Sequence, residues 1–442
     1  MLRGPLLGKL VAFALPIAAS SMLQQLFNFA DTAVVGHFAS ARALAAVGIN
    51  TEIIAFCINL FVGMSVGANV LIASYIGRKE REEISGAVHT AITMALFCGT
   101  FLMLLGQLIA RPILQAVNAP GDILEMAALY LRLYFMGAPF IILFNFGAAI
   151  LRAQGDSRRP LYALICAGVI NVLLNLFFVI VCRLDVAGVA LATVISNILS
   201  SGAVLIFLAR EDNELRFSPR KLCFDRKKAG RIVKVGVPAG ITGAVFAFAN
   251  VFIQAAINGF GSAAVAGASA TLTLEYMAYY IHSAFNQATT TFVSQNYAAG
   301  QLRRCRKIVR RCLVSSMLGC AAFIGILYLF RMPILHFFTS DEEVIAFALT
   351  RIMSALVLEW LPAIYEIPGA ALRGMGHPNL PALETVLGTC CFRLFWIAFV
   401  FRGSGSFQKL LAVFPFSWVL TGTIILTTYF IIIGRETRRI PG

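Results

Sequence analysis

The chain carries one pattern twice, and this duplication limits its possible folds more than any other feature. The segment Leu151–Gly155 (LRAQG), followed by Pro160, returns 221 residues later as Leu372–Gly376 (LRGMG), followed by Pro381. In a very apolar sequence, duplication at half the chain length is typical of a transporter built from two bundles around a shared central site. Nearly the same offset relates four further pairs: Pro16 and Pro238, Asn28 and Asn250, Gly77 and Gly300, and Pro112 and Pro333.

The composition predicts an all-α polytopic membrane protein. Of 442 residues, 59% are hydrophobic and only 13% are charged, whereas a soluble chain usually carries about 25% charged residues. Six helices per repeat is an even number, so both repeats start on the same side of the membrane. A pseudo-twofold axis along the membrane normal should then relate the two six-helix bundles. The twelve predicted transmembrane helices, each long enough to span a bilayer, lie near 10–35, 46–76, 87–109, 123–151, 160–182, 187–209, 231–258, 264–298, 308–330, 344–372, 380–401 and 408–434.

The formal net charge of +15 does not indicate a nucleic-acid partner. Most lysines and arginines fall in the segments that share a side with the N-terminus, which is the positive-inside pattern of an inner or plasma membrane protein. Both termini are therefore predicted to be cytoplasmic. The first apolar run, 10–35, corresponds to the internal run 231–258, so we expect it to be retained and not cleaved as a signal peptide.

The longest polar stretch separates the two repeats. It runs from Arg210 to Lys234 and is strongly basic. We predict an N-terminal bundle over 1–209, a cytoplasmic linker over 210–230 that leaves the bundles free to move, and a C-terminal bundle over 231–442. The ten cysteines and five histidines show neither a C-x-x-C pair nor metal-ligand spacing, and so predict neither a disulfide framework nor a metal site of that kind.

Ionisable groups at membrane depth are costly, so each needs a partner, a water-filled cavity or a function. Gln24, Asn28 and Asp31 are spaced i, i+4, i+7 and share one helical face that is too polar for lipid. This face is predicted to line the substrate cavity. Six acidic residues fall within the predicted spans: Asp31, Glu52, Glu275, Glu359, Glu366 and Glu384.

Four residues of the first repeat form a candidate cation-coupling site. Asp31, Asn175 and Thr193 each lie one to two turns inside the membrane, and Asn171 lies one turn deeper. Carboxylate, amide and hydroxyl oxygens suit a small hard cation such as Na⁺, while a carboxylate among apolar helices can instead carry a proton. The alternative is that Asn171, Asn175 and Thr193 only join helices by hydrogen bonds.

The second repeat is chemically different from the first. Asn250 and Gln254 continue a polar face at i, i+4, but Ile253 stands at the position of Asp31. Glu275 and Glu366 are candidates for attracting a cationic substrate in the cavity, and each can equally pair with one of two intramembrane arginines, Arg351 or Arg393. For Glu359 we favour pairing or interfacial exposure.

Two prolines are candidate helix bends. Pro16 precedes Asp31 by fifteen residues and Pro238 is its repeat partner. Proline removes a backbone hydrogen bond and can kink its helix. A bend that differs between cation-bound and cation-free states would link ion occupancy to the shape of the cavity, although prolines are ordinary in transmembrane helices.

Several sequence motifs of nucleotide-driven pumps and of enzymes are missing. The chain has no Walker A sequence, no G-x-S-x-G and no H-E-x-x-H. The sequence therefore predicts that this protein is not an enzyme, has no bound cofactor, and draws on an ion gradient for any active transport.

Seven short motifs follow one another in a fixed order along the chain: Gln25-x-x-Asn28-x-x-Asp31-Thr32, Ala43–Gly48, Leu151–Asp156, Asn171-x-x-x-Asn175, Gly188–Thr193, Gln295-Asn296-Tyr297-x-x-Gly300 and Leu372–Gly376. With these residues the chain resembles the bacterial type of the multidrug and toxic compound extrusion (MATE) family over almost its whole length. The resemblance implies two six-helix bundles, a large central cavity, and Na⁺ or H⁺ antiport of organic cations and drugs.

The resemblance also implies roles for individual residues. Asp31, Asn171, Asn175 and Thr193 fall on the cation site of the family, and Pro16 falls on its bending helix. The position of Asn175 is often aspartate in relatives, so Asp31 is left as the single carboxylate of this cluster. Acidic residues that some relatives place in the seventh span are missing here.

The sequence thus predicts a secondary active multidrug efflux transporter of the bacterial inner membrane that works by alternating access. It would export amphipathic, cationic organic compounds in exchange for Na⁺ or H⁺. Its expected partners are small organic molecules and the lipid bilayer, with no nucleic acid, and we expect a monomer. One alternative is a lipid-linked precursor flippase of the same superfamily, whose cavity would be rich in cationic side chains. Another is a membrane-embedded receptor or enzyme.

Overall fold

The protein folds almost entirely into helices. The computed structural model describes residues 1–117, 119–401 and 405–439, apart from the side chains of Ala41, Glu52 and Arg439. The α-helices are α1 (Leu6–Phe38), α2 (Ala41–Arg78), α3 (Arg81–Ala116), α4 (Leu124–Met136), α5 (Ala138–Gln154), α6 (Arg158–Leu176), α7 (Asp185–Ala209), α8 (Arg226–Asn258), α9 (Ser262–Ala298), α10 (Leu302–Leu329), α11 (Arg331–Phe338), α12 (Glu342–Ser354), α13 (Ala363–Gly374), α14 (Asn379–Thr385), α15 (Phe392–Phe395), α16 (Phe407–Leu411) and α17 (Val413–Arg439). Three π-helical stretches extend the spans at Phe177–Val181, Val386–Cys391 and Trp396–Phe401, and single 3₁₀ turns lie at Pro219–Lys221 and Leu356–Leu358.

Every predicted transmembrane run is helical. Over the described residues, nine helices are long and apolar enough to cross a membrane, and two more spans are bent pairs: α4 with α5 by 42°, and Glu342–Leu358 with α13 by 44°. The remaining span is α9, which is 37 residues long and largely buried in its C-terminal half. Its Thr, Tyr, Asn and Gln side chains make it less apolar than the others. The predicted all-α polytopic fold with twelve transmembrane helices is confirmed.

The chain forms two compact units whose boundaries fall inside helices. One unit holds Met1–Ala18 and Ile241–Gly442, and the other holds Ala19–Gly240. Helices α1 and α8 each run through a boundary, two residues after Pro16 and after Pro238 respectively. These units differ from the predicted bundles 1–209 and 231–442, because the first half of each boundary helix packs with the other repeat.

The two units use the same packing plan, which supports the duplication seen in the sequence. In the Ala19–Gly240 unit, α2 packs on α3 and α5, and α3 packs on α5. In the other unit, the equivalent α9 packs on α10 and α13, and α10 packs on α13. The fourth span of each repeat is the bent one, because Gly137 and the Ala355–Pro362 turn interrupt the backbone ladder at corresponding places.

The first half of α8 belongs to the Ala19–Gly240 unit because it touches α2 at backbone distance. A Cβ atom added to Gly67 would lie 2.1 Å from the carbonyl oxygen of Ile232, and one added to Gly63 would lie 2.3 Å from the amide nitrogen of Gly240. Small residues allow this approach in lipid, where packing replaces the hydrophobic effect between helices. Gly63 and Gly67 therefore allow α2 and α8 to pack at backbone distance.

The predicted linker forms a strap that packs on the Ala19–Gly240 unit. Leu215 and Phe217 are buried in the apolar core of that unit. Whether the linker leaves the two bundles free to move stays a prediction. Hydrogen bonds tie the strap to α3: Ser218 N–H to His89 Nε2 (3.1 Å), Asp225 N–H to Thr90 Oγ1 (3.2 Å) and Thr93 Oγ1 to the carbonyl of Cys223 (3.1 Å).

Asp225 ends the strap and begins α8. Its Oδ1 accepts the backbone N–H groups of Lys227 (2.8 Å) and Lys228 (3.2 Å), so it acts as the N-terminal cap of the helix. The side-chain hydrogen bond from Lys228 lowers the pKa of Asp225, which keeps the capping carboxylate ionised. Lys228 Nζ also contacts Glu83 Oε2 at 2.9 Å, which joins the start of α8 to α3.

Candidate functional site

Asp31 of α1 meets two asparagines of α6. Asn175 Nδ2 donates to Asp31 Oδ1, and the same amide contacts Asn171 Oδ1 at 3.3 Å. Asn175 is completely buried, Asn171 is buried, and Asp31 is half-buried. Because Asn171 and Asn175 are one helical turn apart, their amides lie on one face of α6. The structure therefore brings together three of the four residues predicted for the cation site.

Close contact between α1 and α6 places these side chains together. One turn before Asn171, a Cβ added to Gly168 would lie 1.8 Å from Cε2 of Phe27. The ring of Phe27 therefore occupies the space of the missing side chain. Directly after Asn175, the helix continues as the π-helical stretch Phe177–Val181, a wider turn that is frequent at functional sites.

The oxygen atoms of this cluster fit a small hard cation. Asn175 Oδ1 is buried and accepts no hydrogen bond in the described part of the chain, which makes it an acceptor in need of a donor or a positive ion. The Asp31 carboxylate accepts a hydrogen bond from Asn175, and no lysine, arginine or histidine described here lies within 4 Å of it. Asp31, Asn171 and Asn175 would hold Na⁺ through oxygen atoms, and Asp31 alone would hold a proton.

Thr193 does not join this hydrogen-bonded group. Its hydroxyl donates to the carbonyl of Val189 within α7 at 3.0 Å, as hydroxyls commonly do in apolar helices. Gln24 and Asn28 are exposed, which agrees with a polar face open to an aqueous space. Their predicted role in substrate binding stays a prediction.

Two tyrosines near Asp31 were missed by the sequence analysis. Tyr130 and Tyr134 of α4 are close enough to experience the charge of Asp31, and their ring centroids lie 6.1 Å apart. Their i, i+4 spacing, which puts both phenol rings on one face of α4, was the available signal. They supply phenol groups and aromatic surface beside the carboxylate.

Replacing Gly168 with Ala should disturb the site without changing any polar atom. The new methyl group must displace Phe27, and overpacking of this kind costs about 1–3 kcal/mol. We expect weaker gradient-driven transport together with a lower unfolding temperature in detergent. Gly202→Ala in α7 is the matched control, because a Cβ there meets nothing within 4 Å. Unchanged transport by Gly168→Ala would show that the α1–α6 contact does not position Asp31.

In the other unit, the buried carboxylate of Glu275 is paired with an arginine, unlike that of Asp31. Arg351 donates from Nε to Glu275 Oε1 at 2.7 Å and from Nη2 to Glu275 Oε2 at 2.8 Å. Both side chains are at least nine-tenths buried. Of the two alternatives for Glu275, the structure thus shows pairing with Arg351, and such a bidentate pair leaves the carboxylate little capacity for a substrate.

Glu366 lies in a polar network in which no described arginine contacts its carboxylate within 4 Å. Its carboxylate accepts from Asn286 Nδ2 and from Tyr279 Oη at 3.3 Å. Arg373 Nη2 donates to Asn286 Oδ1 at 3.0 Å. Asn286 therefore stands between the negative and the positive group. The arginine of this network is Arg373, and not Arg351 or Arg393, which the sequence offers as partners of Glu366.

The remaining predicted polar residues have separate local partners. Asn250 Oδ1 accepts from Arg393 Nη1 at 2.8 Å, while Gln254 Nε2 donates to Asn258 Oδ1 at 3.0 Å. Glu384 Oε1 accepts from Thr428 at 2.5 Å. Glu359 is buried and its carboxylate forms no ion pair with a described residue, so neither the pairing nor the exposure expected for it is seen. The side chain of Glu52 lies outside the described residues.

Comparisons with known proteins agree with this architecture. The MatE family model matches residues 16–177 and 238–398, two stretches that begin at the repeat partners Pro16 and Pro238. The chain is 26% identical over 384 residues to the probable multidrug resistance protein YoeA of Bacillus subtilis (strain 168), covering 85% of this chain and 82% of that protein. It is 27% identical over 398 residues to the probable multidrug resistance protein NorM of Thermotoga maritima, covering 87% and 84%.

The fold also matches solved structures. One is an outward-facing conformation of a multidrug resistance MATE family transporter of the MOP superfamily, with a TM-score of 0.92 at 20% sequence identity, covering 99% of this chain and 98% of that chain. At this identity the likeness concerns the fold alone. The two family-model matches, however, span well over half of the sequence. The chain belongs to the MatE family, and it is a multi-pass membrane transporter, not an enzyme.

Proposed function

We propose that this protein is a secondary active multidrug exporter that exchanges amphipathic, cationic organic compounds for Na⁺ or H⁺. The observation that carries the proposal is the environment of Asp31. This half-buried carboxylate has an amide donor on one oxygen and no basic side chain within 4 Å among the described residues. A carboxylate held in this way at membrane depth is stabilised when a mobile cation or a proton neutralises it.

In the proposed cycle, an inward-open state accepts the substrate, and binding of a cation or proton at Asp31 favours its release outward. Asn171 and Asn175 orient the carboxylate and offer amide oxygens. Pro16 and Pro238 lie within two residues of the unit boundaries, where bending of α1 and α8 would accompany the change of access. The relatives named as multidrug resistance proteins support multidrug export.

We further propose a bacterial inner membrane location with both termini in the cytoplasm, and a monomeric transporter. The distribution of basic residues supports this orientation. The flippase alternative has less support, because Arg351, one of the two intramembrane arginines on which it depends, is neutralised by Glu275. A lipid pyrophosphate would need several uncompensated cations.

Reconstituted vesicles with imposed gradients test the proposed function. A cationic dye is loaded into vesicles that hold the purified protein, and its movement is followed by fluorescence under an Na⁺ gradient, a pH gradient or neither. We expect transport under one of the two gradients and only passive leak without them. Equal dye movement in empty vesicles and protein-containing vesicles under every gradient would reject ion-coupled export.

A further inference from the structure

Arg393 is a buried cation that the proposed cycle does not use. Its side chain is 1% exposed and lies in α15, a four-residue helix between two π-helical stretches. Wide π turns change the direction in which a side chain points and are frequent at functional sites. A guanidinium at this depth is costly unless something compensates its charge.

The direct partners of Arg393 are all neutral. Nη1 donates to Asn250 Oδ1 at 2.8 Å, and Nε donates to Ser417 Oγ at 3.3 Å. The rings of Phe246 and Phe414 each lie with their centroids 4.8 Å from Cζ. Within the described ranges, Nη2 has no hydrogen-bond acceptor, and no carboxylate lies within 4 Å of the guanidinium.

Neither of the two nearby carboxylates, Glu275 and Glu359, forms an ion pair with Arg393. Glu275 is held by both of its oxygens on Arg351. Glu359 is close enough to experience the charge of Arg393, yet its carboxylate forms neither an ion pair nor a hydrogen bond with any described residue. Arg393 Nη2 therefore keeps hydrogen-bond donors that no described residue satisfies.

An incoming group would reach Arg393 past Asn250, because Asn250 is half-buried while Arg393 is buried. Its Oδ1 is engaged by Arg393, and its Nδ2 has no acceptor among the residues that the structure describes. Arg393 Nη2 and Asn250 Nδ2 are thus N–H donors on two side chains that are hydrogen-bonded to one another, and the half-buried ring of Phe246 lies against the guanidinium. Charged and neutral N–H donors next to an aromatic face suit a carboxylate attached to an apolar ring system.

We propose that Arg393 and Asn250 form an anion-recognition point that takes the carboxylate of an amphipathic substrate. This inference rests on the proposed transport function and narrows its substrate class: zwitterionic compounds, which carry a carboxylate as well as a cationic group, bind better than their ester analogues.

Rhodamine B and its ethyl ester are a suitable pair of probes, because they share the cationic ring system and differ in the free carboxylate. Binding to the purified full-length protein in detergent at pH 7 is measured by fluorescence anisotropy, without any gradient. We expect Arg393→Gln to weaken rhodamine B binding by about 10-fold or more, the effect of losing a hydrogen bond to a charged group, and to change ester binding by less than about 2-fold.

Two further variants keep the inference testable if Arg393→Gln folds poorly. Asn250→Asp places a fixed carboxylate on the guanidinium and should abolish the preference for rhodamine B, because the new ion pair with Arg393 occupies the positive charge. Lys409→Gln removes one positive charge at an exposed lysine and should leave both affinities unchanged. Equal losses for both dyes in Arg393→Gln, or an intact rhodamine B preference in Asn250→Asp, would overturn the inference.

The same experiment separates this inference from the proposed function. Dye binding without a gradient does not depend on ion coupling, so a selective loss in Asn250→Asp supports the recognition point even if vesicles show no gradient-driven export. If the ester is exported under a gradient and Asn250→Asp leaves rhodamine B binding unchanged, the result supports the transporter and rejects the recognition point.

Discussion

Replacing Asp31 with Asn is expected to abolish gradient-driven efflux while the protein still folds and inserts. The substitution keeps the size of the side chain and its contact with Asn175 but removes the negative charge that a cation or proton must neutralise. Loss of an obligatory coupling charge should lower the transport rate by about 100-fold or more, because charge compensation in low dielectric is worth several kcal/mol. Dye efflux from reconstituted vesicles measures the effect.

The control for this prediction is Asp185→Asn. Asp185 is an exposed aspartate at the start of α7 with a positive φ of 44°, a conformation that Asn tolerates well. This variant removes the same charge at an exposed position outside the hydrogen-bonded cluster of Asp31, Asn171 and Asn175. Efflux should be normal in this control. Efflux by Asp31→Asn at the rate of the unmodified protein would exclude Asp31 as the coupling group.

The largest loss of stability is expected from Glu275→Gln. This change leaves Arg351, which is 3% exposed, as a buried cation without its carboxylate partner. Breaking a buried ion pair in this way costs about 3–5 kcal/mol. We therefore expect a clear fall in the unfolding temperature of the detergent-solubilised protein, followed by the loss of monodisperse protein after heating.

A double variant distinguishes the cost of the orphaned charge from a loss of packing. Glu275→Gln combined with Arg351→Gln removes both charges and leaves two amides that can bond to each other. Its unfolding temperature should recover most of the loss. A double variant at least as unstable as Glu275→Gln would show that the ion pair is a packing element and that charge compensation matters little here.

Hydropathy and duplication were sufficient to predict the helices and their number. The polar faces were also predictable from spacing, since Asn171 and Asn175 do lie together and Asp31 does meet them. What the sequence could not supply was the choice between competing partners. Glu275 had two arginines available in principle, and only the three-dimensional packing of α9 on α12 selects Arg351.

The linker shows a second limit of sequence reasoning. Its charge and polarity indicated a linker that leaves the two bundles free to move, but Leu215 and Phe217 anchor it in the apolar core of the Ala19–Gly240 unit, although most of its other side chains are exposed. Two apolar side chains among many polar ones change the average composition very little. Tyr130 and Tyr134 were overlooked for a related reason, because aromatic residues are common in membrane spans and their nearness to Asp31 depends on how α4 packs.

The position of the unit boundaries inside α1 and α8 has a consequence for split-protein work. A polypeptide divided within 210–230 would yield two fragments, each lacking the terminal helical segment that its own compact unit requires and carrying one that belongs to the other. Neither fragment should fold alone, whereas production of both fragments in the same cell should restore transport. The boundary helices thus make the two ancestral repeats dependent on each other for folding.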